Sequence, residues 1–465
     1  MTSIFKQKDE ILAHIKKNSG TIGFNEDMFE ILEGDLITKV GASLKAQLSP
    51  DSFVSAMERA APINIFKKTV DKRSTLYTDD VKRNTADETN LDLIAFYEES
   101  EDIDSYFEDA NKGFNAYKFT TIELFVDEER LQSRVLPSHF FLPYSDNKAN
   151  PLKVTAMIKF MGRVKKKDKR GRAITVDKYW VYSDEEFMSI GSDSELFEED
   201  MIDNDGINPY GVIPFVFISK SRYLLVPIPD KDDRAMAILV PVLLTDLNFA
   251  AKYMAHSIFF GVDLDSDNLK LSPDAFWSFK SDLDGKAPEV GTIQPSVDLD
   301  GVLKLIGEEL SIWLDTKNLK TSSVGQASGG SASGIAKIID EADTTMDRKQ
   351  QIGSFRQAEK AYWRVLGRMH NVSVENGTIK NTALFNNPDS FIVKVDYSEQ
   401  RVMESRMDKV TRLTQEILAG LASKKRAMKE LNPRMSEGEI LQEMQEIDLE
   451  RTLVINDEEL DIGND

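Results

Sequence analysis

Four histidines, His14, His139, His256 and His370, are the first residues to test for chemistry, because imidazole serves both zinc sites and acid–base catalysis. They are scattered along the chain, with none of the short paired spacings that place two ligands together on a helix or turn. Cysteine is absent, which excludes disulfides and thiolate metal sites and fits a reducing compartment. No phosphate-binding G-x-x-x-x-G-K-[ST] loop occurs, since the glycine-rich run 325–330 leads into Ser331-Ala332 and not into a lysine. Asp263, Asp265 and Asp267, with Asp274 at the twelfth position, echo a calcium loop. However, Asn268 stands where the sharp turn needs glycine, and Asp274 is too short for the bidentate glutamate. Asp274 with Asp315 and Lys317 superficially fits a carboxylate pair and a lysine around Mg²⁺. Asp315 falls at the end of an expected helix, though, and not on a strand beside Asp274. The residues therefore argue against an enzyme, and no cofactor or metal is expected. A metal-dependent nuclease is the alternative from that class.

Charge and flexibility are left to carry function. The 465 residues, 41% of them hydrophobic, suffice for two to four domains. With 58 Lys plus Arg against 79 Asp plus Glu, the net charge is -21. A surface that grips DNA needs cations to replace phosphate counterions, so this balance argues against tight binding over the whole surface. It does not argue against a wall past which DNA slides. One segment runs the other way: Arg163, Lys165, Lys166, Lys167, Lys169, Arg170 and Arg172 crowd a single hairpin. Contact with a partner and a simple solvated turn both fit that cluster. The acidic stretch 184–205 reads as a solvated loop. The opening MTSIFKQKDEILAHIKK is charged throughout and lacks the apolar centre of a signal peptide. The most apolar stretch, 235–245, has eleven uncharged residues before Asp246, against about twenty needed to cross a bilayer, so no membrane span is expected.

The hydrophobic pattern is helical over the first hundred residues, as in Phe29, Leu32, Leu36, Val40 and Leu44. From 119 to 182 it turns to period two: a strand at 121–126 and a hairpin of 153–164 with 173–182. A strand at 211–218 follows the acidic loop. Residues 230–257 then form a long apolar helix, with Asp232 and Asp233 favouring its N-terminus. Pro241 implies a kink in it or a start at that residue. A Pro-containing insert covers 259–297, a second helix 299–318, and a Gly/Ser tract 321–334 that is flexible by composition. A third long helix spans 335–370. A short β-region at 379–395, charged helices over 398–449 and an acidic tail complete the chain. The fold class is α+β, mainly helical.

That order of segments resembles the portal proteins of tailed bacteriophages. Local sequence strengthens the likeness: Pro62 to Asp71 followed by Tyr77, Lys178-Tyr179-Trp180-Val181-Tyr182 running to Phe187, and Gly211 to Val216 followed by Asp246-Leu247-Asn248. Ser331-Ala332-Ser333-Gly334-Ile335-Ala336, Gly420-Leu421-Ala422-Ser423 and Glu439-Ile440-Leu441 continue it. The likeness spans 62–450 and rests on segment order more than on invariant residues. One departure is a Gly/Ser tract longer and more polar than the family pattern.

The resemblance implies a ring of about a dozen identical subunits, each with one face meeting a different face of the next. It implies wing, stem, clip and crown regions: an N-terminal wing at 1–229, stem helices at 230–258 and 299–318, and a clip at 259–298. Tunnel loop, long wing helix and β-region would occupy 319–397, and crown and acidic tail 398–465. It further implies a virion location at one capsid vertex, reached from the host cytoplasm, with no membrane. The implied partners are duplex DNA, the terminase large subunit (whose ATPase must be a separate chain), a head–tail adaptor, and the major capsid and scaffold proteins. Lys317, Lys320 and Lys337 flank the tract and could supply basic rings to a channel, or be ordinary surface lysines. Gly325, Gly329 and Gly330 would let a tunnel loop shift, or belong to a plain linker. Phe276, Trp277 and Phe279 are candidates for partner docking in the clip, or for its own small core. Leu239, Leu243, Leu247 and Met254 would face a neighbouring subunit or an intrachain core. An adaptor or scaffold without a channel is the remaining alternative.

Overall fold

The computed structural model describes residues 3–78, 81–167, 171–202, 205–255, 258–262, 289–293, 298–319, 334–380, 383–397, 406–432, 438, 440–444 and 446–447. It is α+β, with 53% helical and 18% strand residues. The chain divides into two compact units, Met1–Ser398 and Glu399–Asp465.

The first unit opens on four helices, α1 (Lys8–Glu33), α2 (Leu36–Lys45), α3 (Pro50–Met57) and α4 (Ile65–Arg73), as the early periodicity predicts. Leu36, Val40 and Leu44 recur at four-residue spacing and are buried with Ile31, Phe66 and Val70 in one cluster. Strand β1 (Val81–Asn84) and helices α5 (Glu88–Ser100) and α6 (Ile103–Tyr117) follow. The Asp102 side chain caps α6 by accepting from the Ser105 amide at 3.2 Å. Phe107, Ala110 and Phe114, three and four residues apart, then line the buried face of α6, with Asn111 beside them satisfied by Gln351.

Two antiparallel sheets come next. In the first, β2 (Phe119–Asp127) lies between β3 (Arg130–Leu136) and β8 (Phe215–Ser219). The second has the order β4 (Phe141–Tyr144), β5 (Ala156–Lys167), β6 (Ala173–Tyr182), β7 (Phe187–Gly191). The hairpin expected at 153–182 is therefore present as β5 and β6. The solvated loop expected from 187 onward is corrected at its start. All five residues of β7 are buried, because Phe187, Met188, Ser189 and Ile190 carry no charge and edge the sheet against β6. The inner face of this sheet packs on α1, with Ile11 and Ile15 against Leu142, Ile158, Val181 and Ile190.

The remaining elements of the unit are α7 (Lys231–Ala255), β9 (Ile258–Val262), β10 (Glu289–Ile293), α8 (Leu299–Thr316), α9 (Gly334–Glu375) and β11 (Lys394–Tyr397). Helix α9 has 42 residues, about 63 Å at 1.5 Å per residue. Phe355, Tyr362, Leu366 and Met369 are buried on its inner side, and together with α5, α6, β2 and β8 they make the largest core cluster. Strand β11 pairs antiparallel with β1, Val81 opposite Tyr397, which joins segments more than 300 residues apart.

A buried ion network locks that closure. Arg83 on β1 forms a bidentate pair with Glu359 on α9 at 2.7 and 2.9 Å, and reaches Glu98 at 2.8 Å and Asp104 at 2.7 Å. Glu359 also accepts hydrogen bonds from the Tyr77 hydroxyl and from Trp363 Nε1, both at 3.1 Å. Burial alone would lower the Arg83 pKa, but the Glu359 charge beside it more than compensates and raises it.

The second unit contains α10 (Arg406–Leu418) and α11 (Lys424–Leu431). Gly420, with φ +73°, ends α10: the Leu421 amide donates to Glu416 O and the Gly420 amide to Ile417 O, both orphan carbonyls of the last turn. Ser423 then caps α11 through the Arg426 amide.

Candidate functional site

The excursion from α7 to α8 is the part of the chain most unlike an ordinary domain core. Helix α7 leads into β9, β9 pairs antiparallel with β10, and α8 returns. The two helices run antiparallel, since Lys317 just after the end of α8 meets Asp233 in the first turn of α7. Their shared seam holds Val240 from α7 with Ile306, Trp313 and Leu314 from α8, and Ile65 from α4 closes it.

Pro241 sits inside α7 and does not begin it. Its ring removes the backbone donor that would reach Ala237 O. One turn on, the Thr245 hydroxyl donates to the Pro241 carbonyl at 2.7 Å. The same Thr245 oxygen accepts the Ala61 amide at 3.1 Å, which ties the helix to the α3–α4 connection. Helix α7 continues through Asp246 to Ala255. Among the described residues, Lys231–Lys252 is long and apolar enough to cross a membrane by length and composition. The sequence expectation of no such segment took the uncharged run alone, without the flanking turns. Within that span 28% is buried, with Ala237, Val240 and Val242 packed against other helices of the unit.

At the base of the helix pair lies a charged joint. Lys317 Nζ is 2.6 Å from Asp233, 3.0 Å from Asp232 and 3.4 Å from Asp230. Lys118 holds the other oxygen of Asp230 at 2.6 Å, and Trp313 Nε1 donates to Asp233 at 3.2 Å. Lys317 and Asp233 are each 8% exposed at the side chain, so this pair is buried, whereas Asp230 and Asp232 are partly solvated. Burial works to lower the Lys317 pKa, but its hydrogen bond and charge interaction with Asp233, with Asp232 and Asp230 behind, outweigh this and hold the ammonium above the ordinary lysine value. The Asp230 carboxyl is likewise held low, against burial, by Lys118 and Lys317.

Helix α8 stops just beyond this joint for a local reason. Asn318 adopts the left-handed conformation, φ +56°, where asparagine is tolerated best after glycine. The Leu319 amide donates to Leu314 O at 2.9 Å and the Asn318 amide to Asp315 O at 3.1 Å. Leu319 folds back onto Leu314 in the apolar seam. This turn satisfies two orphan carbonyls and ends the helix.

The sequence-derived residues divide accordingly. Lys317 is corrected: its charge is neutralised within its own chain, so it is not a free basic group presented to a channel or a solvated surface lysine. Lys320, Gly325, Gly329, Gly330, Phe276, Trp277 and Phe279 lie outside the described residues, as does the calcium-like stretch 263–274. Lys337 falls within α9, and its side chain is outside the described set. Asp315 is exposed on the last turn of α8, while Lys317 turns to Asp232 and Asp233 of α7 and to Asp230 just before it, so these two do not form a Mg²⁺-binding group together. Among the described residues no cluster of His, Asp or Glu is placed to hold a metal ion. His370 is a core residue, its ring between the Tyr97 hydroxyl at 2.7 Å and Ala383 O at 2.9 Å, and burial lowers its pKa.

Sequence reasoning missed Lys118 and Asp230 as members of the joint. A lysine at a helix C-terminus followed by a strand carries no local signal of a partner more than a hundred residues away. No family model matches the chain, and no curated protein matches it.

Proposed function

We propose that the chain is a portal-type protein, a ring-forming subunit around a channel for duplex DNA at one vertex of a phage capsid. The observation that carries this reading is the helix–hairpin–helix excursion, α7 to β9 and β10 to α8, followed after a sharp turn by 320–333 and the 42-residue α9. An antiparallel helix pair of this kind suits a stem, 259–298 a clip, and 320–333 a loop at the channel wall, with Lys320, Gly325, Gly329 and Gly330 in it and Lys337 just beyond it in α9. Phe276, Trp277 and Phe279 would then serve docking of the terminase and later of the head–tail adaptor.

Ring formation also finds support on the outer side of α8. Leu305 and Ile312, seven residues apart and so on one face, are 51% and 67% exposed opposite the seam with α7. A neighbouring subunit contacting that face with a different surface of its own would cover them, as a closed heterologous ring requires. The acidic balance suits a conduit, because a wall of net negative charge confines DNA without arresting it.

Negative-stain electron microscopy of the purified protein tests the reading. Top views are expected to show closed rings with a central hole, and light scattering a mass many times 52.5 kDa. Leu305→Glu with Ile312→Glu is expected to leave helix content unchanged and to abolish the rings. A wild-type protein that stays monomeric at every concentration and salt level overturns the proposal.

A further inference from the structure

The β5–β6 hairpin extends beyond its own sheet. Strand β4 pairs only with residues 156–159 of β5, and β7 only with 178–182 of β6, whereas β5 and β6 pair with each other out to Lys167 and Ala173. Beyond Gly162 the two strands therefore run on as a two-stranded ribbon, held along one side by the loop after β7, where the Ser192 amide donates to Asp177 O at 2.8 Å. A register shift between Phe160 and Gly162, with Gly162 at φ +104°, sets which side chains face which way.

The two faces of the ribbon differ in kind. Lys166 turns toward the loop after β7, where it meets Asp193 at 2.6 Å and Glu195 at 2.8 Å and lies over the Phe197 ring. Lys178 lies over the same ring and pairs with Asp200 at 2.7 Å. That face is neutralised and covered. On the other face, strand alternation places Arg163, Lys165 and Lys167 in a row, all three exposed. Opposite them in register stand Asp177, Thr175 and Ala173. Asp177 is the acid of this row, 3.2 Å from Arg163 in a pair whose side chains are 77% and 37% exposed, a contact that solvent and salt readily loosen.

We propose that this outer face binds the phosphate backbone of duplex DNA without sequence preference. Three cations two residues apart on a strand stand about 6.6–6.8 Å from one another. A DNA strand rises about 3.4 Å per phosphate while winding about its axis, so adjacent phosphates stand roughly twice that far apart in space and the row matches successive phosphates of one strand. Only Thr175 and Ala173 stand between the charges, and Tyr179 at the base of the face is packed against the sheet's own core, so the ribbon lacks the apolar centre that a protein partner needs. The overall charge of -21 does not prevent this, because at 0.1 M salt charges farther than about 10 Å away are screened. The inference is independent of ring formation.

Fluorescence anisotropy with a labelled duplex of random sequence, titrated with the full chain, tests it. Three neutralised phosphates give a slope of about -2.7 in log affinity against log salt, a weakening of about 40-fold between 50 and 200 mM. The combined variant Arg163→Gln, Lys165→Gln, Lys167→Gln is expected to lose this binding, and Lys165→Gln alone to reduce the slope by about 0.9. Lys166→Gln, on the covered face, is expected to leave affinity and slope as in the wild type. Unchanged binding in the triple variant overturns the proposal, as does no binding at 50 mM salt. Capture of a poly-glutamate peptide in preference to the duplex overturns it as well, since the face would then serve an acidic protein.

Discussion

Arg83→Met will lower the unfolding free energy of the first unit by about 3–5 kcal/mol, because it leaves a buried carboxylate without its counter-charge. The Glu359 side chain is fully buried and that of Arg83 is 1% exposed, so water cannot replace the lost guanidinium. Tyr77 and Trp363 would still donate to Glu359, but neutral donors do not balance a full charge. The double variant Arg83→Met, Glu359→Leu should recover most of the loss, since removing both ions also removes their desolvation cost. Arg83→Lys should rescue only partly, because an ammonium cannot reproduce the bidentate pair with Glu359 while reaching Glu98 and Asp104. Urea titrations followed by tryptophan fluorescence measure this directly, as Trp363 contacts the network itself. A loss below 1 kcal/mol for Arg83→Met would show that the β1–α9 closure does not depend on the pair.

Lys317→Met is the second large effect, expected at about 3 kcal/mol, and it carries a pH signature. Among the described residues Lys317 is the one cation paired with Asp233, so the variant leaves that carboxylate buried beside Trp313 without it, and the base of the α7–α8 pair should open to protease before the rest of the unit. The Lys317 pKa is higher in the folded chain than the ordinary 10.5, so folding favours its protonated form. Its stabilisation is therefore fully present below pH 10.5 and is lost as the pH rises through the higher folded-state value. Wild type and variant should accordingly differ by a constant amount from pH 7 to 10 and converge at more alkaline pH. Tyrosines that titrate in the same range are common to both proteins and cancel in the difference. A gap that stays constant throughout the alkaline range would assign the effect to lost packing of the lysine stem, not to its charge.

The two effects describe one design at different places. Each end of the first unit's long-range architecture is fastened by a buried charge with several opposite partners, Arg83 at the β1–β11 closure and Lys317 at the helix pair. Such pairs add little net stability over apolar packing, but a misaligned alternative would bury them unpaired. They therefore help fix α9 and the α7–α8 excursion in one register relative to the rest of the unit.

The sequence by itself determined whatever depends on neighbours a few residues apart. The apolar spacing of α2 and the extents of α7 and α8 follow from local periodicity. The β5–β6 hairpin follows from alternation and a polar tip. Strand β7 was hidden because the acidic residues after it dominated the local composition, while its burial comes from β6 across the sheet. Only the tertiary structure decided which charges are spent and which are free. As sequence, nothing near Lys317 or Lys165 names a partner for either. One is sealed against aspartates 84 to 87 positions earlier, and the other stands on the open face of a ribbon. Arg83 and Glu359 likewise meet across 276 residues. A side chain's type is local, but its partner and its exposure to water are set by chain closure, and no spacing rule along the sequence encodes that distance.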